Sequence, residues 1–143
     1  MRNFASSLVA LNAGKRIFFF STGLTPQYPL SLFYQMQPTS RFSSLWLLPA
    51  ILQSENGDEK EPEAMEGKEE LLRLIDEDFR RWTPSALAID ESPHKKGIRG
   101  DFDYIAWLSS DPTMAALLSA YHRVGQFADP GHHWQFGIYA HNP

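Results

Sequence analysis

Apolar positions along this chain fall into a few runs whose spacing separates strands from helices. Lys15-Arg16-Ile17-Phe18-Phe19-Phe20-Ser21 is a nearly continuous apolar run, followed by the turn formers Thr22-Gly23 and Thr25-Pro26. That is the pattern of a short strand buried on both faces. Ser85-Ala86-Leu87-Ala88-Ile89-Asp90 has the same character. Between the two, Lys68, Leu72, Ile75, Phe79 and Trp82 recur at helical spacing, with Leu71 and Leu74 beside the stripe. Arg80 and Arg81 sit at the negative end of that helix, and Thr83-Pro84 stops it. A helix leading straight into a buried strand is half of a βαβ unit, so the strands are expected to run parallel with right-handed crossovers.

The remaining runs complete the order. Phe4 to Ala13 reads as a first helix closed at Gly14 by a left-handed cap. Tyr28 to Gln37 reads as a short helix entered at Pro29, and Phe42 to Leu48 as a strand closed by Pro49, which donates no ladder hydrogen bond. Beyond a polar loop from Glu91 to Gly100, Asp101 is expected to cap a short helix holding Tyr104, Ile105, Trp107 and Leu108. Asp111-Pro112 restarts it as N-cap and first-turn proline, with Met114, Leu117, Leu118 and Tyr121 inward. The tail predicts two strands, His122 to Phe127 and His133 to His141, joined through Asp129-Pro130-Gly131. Trp134, Phe136, Ile138 and Ala140 alternate onto one face of the second. The expected fold is α/β: a Rossmann-like three-layer domain with a mainly parallel sheet, the strands ending at Ser21 and Asp90 central, and a C-terminal antiparallel edge hairpin. It spans residues 1–143 as a single domain without internal repeats.

Composition narrows the partners. Aromatic residues make up 13% of the 143 positions and hydrophobic ones 43%, enough for one real core. A net charge of −4 argues against nucleic acid, which needs a basic face. Cysteine is absent, so thiol chemistry and disulfides are excluded. No apolar run reaches the length of a membrane span, and Met1-Arg2-Asn3 with the broken stretch behind it is a poor signal peptide. The chain by itself therefore reads as soluble and cytoplasmic by default. Between Glu55 and Glu70, eight acids and two lysines give −6, leaving the rest of the chain at about +2. Residues 55–67 read as an acidic loop or insertion running into the positive end of a helix dipole.

In open α/β sheets, ligands bind beyond the carboxyl ends of the parallel strands. That edge collects Ser21 and Thr22 after one strand and Asp90, Glu91, Ser92 and His94 after the other. Serine, carboxylate and histidine are the ingredients of a hydrolytic triad, but Phe20-Ser21-Thr22-Gly23 lacks the strained G-x-S-x-G elbow. Asp90, Glu91, His94, Asp101 and Asp103 are the candidate oxygen and nitrogen donors for a cation, with Asp101 already assigned to a cap; no metal or other cofactor is expected. His132 and His133 are adjacent, so on an extended strand they would point to opposite faces and could not chelate together; they read better as turn and surface histidines. The Gly-flanked loop Ser92 to Gly100 brings His94, Lys95, Lys96 and Arg99 to the same edge without a P-loop or G-x-G-x-x-G pattern. Such a loop suits an anionic group, a phosphate or an anionic glycan. The candidate ligand residues are thus Ser21, Thr22, Asp90, Glu91, His94, Lys95, Lys96 and Arg99.

The linear order of phrases carries a resemblance. KRIFFFSTG (Lys15 to Gly23), PQYP (Pro26 to Pro29), SRFSSLWLLP (Ser40 to Pro49), TPSALAIDES (Thr83 to Ser92), FDYIAWL (Phe102 to Leu108) and Asp111 to Phe127 resemble the soluble C-terminal tail of bacterial multi-spanning membrane proteins. Those proteins are of the GT-C glycosyltransferase type, similar to dolichyl-phosphate-mannose mannosyltransferases, and use lipid-phosphate sugar donors. In such enzymes the catalytic carboxylates lie in the membrane-embedded part, so the resemblance carries no catalytic residue onto this chain. It implies a non-catalytic domain that binds or positions a partner or acceptor, with a membrane glycosyltransferase as possible partner and an extracytoplasmic, membrane-attached setting. The alternative is a small hydrolase or phosphate-handling enzyme using Ser21, Asp90 and His94 at the strand ends.

Overall fold

A computed structural model describes residues 2–57 and 62–143. The chain runs α1 (Arg2–Ala10), β1 (Arg16–Phe20), α2 (Gln27–Phe33), β2 (Gln37–Pro38), α3 (Leu48–Glu55), α4 (Pro62–Trp82) and β3 (Ala86–Asp90). It continues through α5 (Tyr104–Ser109), α6 (Pro112–Leu118), β4 (Tyr121–Asp129) and β5 (Trp134–His141). The five strands form one mixed sheet in the order β2-β1-β3-β5-β4. β1 pairs parallel with both β2 and β3, while β5 is antiparallel to β3 and to β4. The hairpin therefore closes one edge and the parallel pair β1–β3 lies within the sheet, as the apolar runs require.

Side chains alternate across β1, so the two faces of the sheet hold two cores. Phe18 and Phe20 join Leu87 and Ile89 of β3 under α3, α4, α5 and α6. Ile17 and Phe19 join Ala86, Ala88, Phe136 and Ile138 under α1 and Leu30 of α2. Leu71, Leu72, Ile75 and Phe79 of α4 are buried, which is the stripe that the spacing predicts. No helix among the described residues is long and apolar enough to cross a membrane.

Several boundaries differ from expectation, each for a local reason. Phe42–Leu48 is not a strand. The place beside β1 is held by Gln37–Pro38 alone, because the chain turns away at Arg41. There the backbone N–H of Arg41 donates to Asp78 Oδ2 (2.8 Å) and its Nε to Oδ1 (2.7 Å). Asp78 is fully buried on α4, so this pair pulls the chain off the ladder. Pro49 then opens α3 rather than ending a strand, since a first-turn proline leaves no helical N–H unpaired.

Helix α1 ends at Ala10, before Gly14. Asn12 takes the left-handed turn (φ 52°), with Asn12 N–H donating to Val9 O and Ala13 N–H to Leu8 O, a Schellman closure. Gly14 also has positive φ, and a Cβ there would overlap Ser85. Helix α5 is capped by Asp103, whose carboxylate accepts from Ala106 N (3.1 Å), not by Asp101. Asp111 caps α6 as its Asp-Pro pair implies. Within the stretch read as an acidic loop, Glu55 closes α3 and α4 starts at Pro62; residues 58–61 lie outside the described residues.

Candidate functional site

The carboxyl ends of β1 and β3 lie side by side, because Phe20 and Ile89 are the last paired residues of a parallel register. The first polar residue after each strand therefore meets the other. Ser21 Oγ donates to Asp90 Oδ2 (3.5 Å) and accepts from Gly23 N–H (3.1 Å). Asp90 Oδ1 accepts from Ser92 N–H (2.9 Å), an Asx turn that starts the basic loop. Thr22 Oγ1 donates to Lys96 O (2.5 Å), and Lys95 Nζ to Ser92 O (2.8 Å). These bonds fold the loop back over the strand ends. Gln135 N–H donates to Ser92 Oγ (3.0 Å) and ties the same loop to β5.

A cleft of about 490 Å³ results, lined by Ser21, Asp90, Ser92, His94, Lys95 and Lys96 on one side. His132, His133 and Trp134 form the other side. The two histidines lie in the turn before β5, as the reading of turn and surface histidines expects, with His133 at φ 58°, and both line the cleft. The His132 ring stacks on Trp134 (centroids 4.8 Å apart, planes 22° apart), and its Nδ1 lies 3.1 Å from Asp129 Oδ2. Asp129 is held below the usual carboxylate range, chiefly by that histidine bond. Strand alternation puts Trp134 on the Phe136 face, but no periodicity places His132 over it; the stack forms because the hairpin edge returns the turn to β3.

Two expected residues fall elsewhere. Glu91 follows Asp90 on the strand path and so faces the opposite side of the sheet. Its Oε2 accepts from Arg123 (2.9 Å) and its Oε1 from the Tyr139 hydroxyl (3.1 Å). Burial and the Glu91 carboxylate raise the Tyr139 phenol, with Arg123 opposing. Arg99 is carried past the cleft to a separate groove of about 500 Å³ against α3, shared with Trp46 and Phe102. Thr22 lies under the loop as its anchor and does not line the cleft.

Sequence reasoning missed Tyr104. It is fully buried, and its hydroxyl has no hydrogen-bond partner among the described residues. Burial and then the nearby Asp90 carboxylate push its phenol up. Tyr104, Asp90, Glu91 and Lys95 line a second pocket of about 380 Å³ on the α5 side, so Asp90 and Lys95 border both cavities.

Chemically, the main cleft sets a direct serine–carboxylate pair beside lysine and histidine side chains. A hydrolytic triad needs histidine between serine and carboxylate. Here Ser21 reaches Asp90 directly, and His94 bonds to neither among the described residues. Asp90, Glu91, His94, Asp101 and Asp103 do not converge, and no group of three or more such side chains among the described residues could hold a metal ion. No known family model matches the chain, and neither a curated protein nor a solved structure is significantly similar to it.

Proposed function

We propose that the chain is a non-catalytic binding domain whose ligand, a sugar phosphate or the phosphorylated end of a glycan, sits in the cleft between β1, β3 and the basic loop. The observation that carries this reading is the Thr22–Lys96 tether, which holds a loop with two lysines over the polar ends of two parallel strands. Lys95 and Lys96 supply charge-assisted donors to a phosphate at the rim. Ser21, Ser92 and Asp90 beneath them suit sugar hydroxyls, and the carboxylate disfavours a bare anion sinking deeper. The stacked His132–Trp134 pair offers a flat apolar wall for a sugar ring. We read the architecture as Rossmann-like, because helices cover both faces of the parallel pair β1–β3 and its carboxyl ends open into the cleft.

The resemblance to membrane glycosyltransferase tails belongs to the same proposal: the domain holds a phosphate-bearing acceptor or partner for a catalytic body elsewhere. A hydrolase or phosphate-handling enzyme would need His94 to reach Ser21, and nothing in the hydrogen bonding favours it. The test is an NMR titration with glucose 1-phosphate, inorganic phosphate and neutral maltotriose. Shifts at Ser21, Asp90, Lys95 and Trp134 are expected, strongest with the sugar phosphate. They should vanish in the Lys95→Ala/Lys96→Ala double variant. Shifts confined to other surfaces, or none at millimolar ligand, would reject the reading.

A further inference from the structure

We propose that the face formed by α1 and α2 docks on the surface of an anionic lipid bilayer. Seven large hydrophobic side chains are exposed among the described residues, and five belong to this face: Val9 (78%), Leu24 (49%), Tyr28 (54%), Leu32 (68%) and Phe33 (77%). Leu24, Tyr28 and Leu32 are spaced by four, and Tyr28 N–H donates to Leu24 O, so the three form one stripe opposite the buried Leu30. Phe33 extends it to Tyr34, which with Met36, Val9 and Ala5 lines a shallow apolar groove between the two helices. An exposed apolar patch of this kind is a contact surface.

Charge selects the contact. The first acidic residue of the sequence is Glu55, so neither helix of this layer carries a carboxylate. The acids of α4 and the N-cap carboxylates of α5 (Asp103) and α6 (Asp111) lie on the opposite layer of the sheet. Cations flank the stripe at both ends. Gln37 N–H donates to Lys15 O (2.8 Å), which sets Lys15, on the same strand face as Ile17, beside the Tyr34–Met36 end. Leu24 lines the cleft together with Lys95 and Lys96 at the other. An apolar stripe that includes Tyr28 and Phe33, with cations at its margins, no carboxylate on either helix and Asp90 largely buried at the cleft end, fits the headgroup and upper acyl region of an anionic bilayer. A second copy of the chain fits less well, since self-pairing through one patch sets like-charged margins against each other.

The test uses vesicles of phosphatidylcholine alone and vesicles with about one-third phosphatidylglycerol, a fraction that gives a strongly anionic surface. Co-sedimentation of the full chain is expected with the anionic vesicles, falling as salt rises. Leu32→Glu/Phe33→Glu should weaken it at least about tenfold, and Lys15→Glu about fivefold. Both mutated apolar side chains are exposed, so the double variant should melt as the parent does. Equal binding to neutral vesicles, or a double variant that binds like the parent, overturns the proposal. Concentration-dependent dimers in sedimentation velocity that the double variant abolishes, without vesicle binding, also overturn it and assign the face to self-association. Sugar-phosphate titration of the Leu32→Glu/Phe33→Glu variant should match the parent, so failure of the docking face and failure of the cleft are distinguishable.

Discussion

Tyr121 shows how one hydroxyl ties the chain end to the sheet. Its Oη donates to Pro84 O (2.9 Å), just before β3, and its ring packs edge-on against Phe79. Burial, slightly opposed by Arg16, pushes the phenol up to about 12 from an ordinary 10.0. Below about pH 10 both folded and unfolded forms keep the proton, so the full stability is present. Between 10 and about 12 the unfolded chain gives up its proton while the folded chain holds it, so stability falls as pH rises and that contribution is gone above about 12. Tyr104 is shifted in the same direction. Tyr121→Phe should therefore flatten the loss of stability across this alkaline window, measured by urea midpoints at a series of pH values. An unchanged pH slope would mean that the phenol is not protected on folding.

At the scale of elements, legibility depended on whether the pattern was local. Helix α4 was readable because Leu72, Ile75 and Phe79 repeat at 3.6-residue spacing, and Phe79 indeed lies 4.8 Å from the Phe18 ring. Phe79→Ala should cost about 3–5 kcal/mol in a urea melt, because a ring packed on three sides leaves a cavity that the sheet cannot close. A loss under about 1 kcal/mol would mean that the site relaxes freely. The strand expected at Phe42–Leu48 failed for the opposite reason. Its apolar residues mimic a strand, yet the geometry is decided by Asp78, thirty-seven positions beyond Arg41 in the chain. Within the cleft, Ser21 and Asp90 were legible because they sit at the ends of buried strands, and Lys95 and Lys96 because they cluster on the Gly-flanked loop that follows. Glu91 was misplaced although strand alternation alone sends it to the other face. Arg99 left the cleft along the loop, His132 and Trp134 reach it through tertiary folding, and Tyr104 borders the second pocket instead.

On the scale of the whole molecule, the two cores are coupled through a single layer of backbone. Ile17 and Phe19 serve one face and Phe18 and Phe20 the other, so neither core can open without loosening the strand that the other needs. Phe4 tests this coupling. It is fully buried on α1, with its ring edge-on to Phe127 (4.6 Å) and near Phe136 (5.7 Å) and Phe19 (6.3 Å), and it has no place in the α4 core. Phe4→Ala should cost about 3–5 kcal/mol through the cavity it leaves. If the domain unfolds as one unit, the most protected amides of α4, that of Ile75 among them, should lose the same amount, because they exchange only through global opening. Amide exchange followed by NMR reads both layers in one sample. Protection of Ile75 that stays at its parental value while Phe19 and Ile138 lose theirs would show two independent units, and would separate the α1–α2 face from the layer that carries the acids.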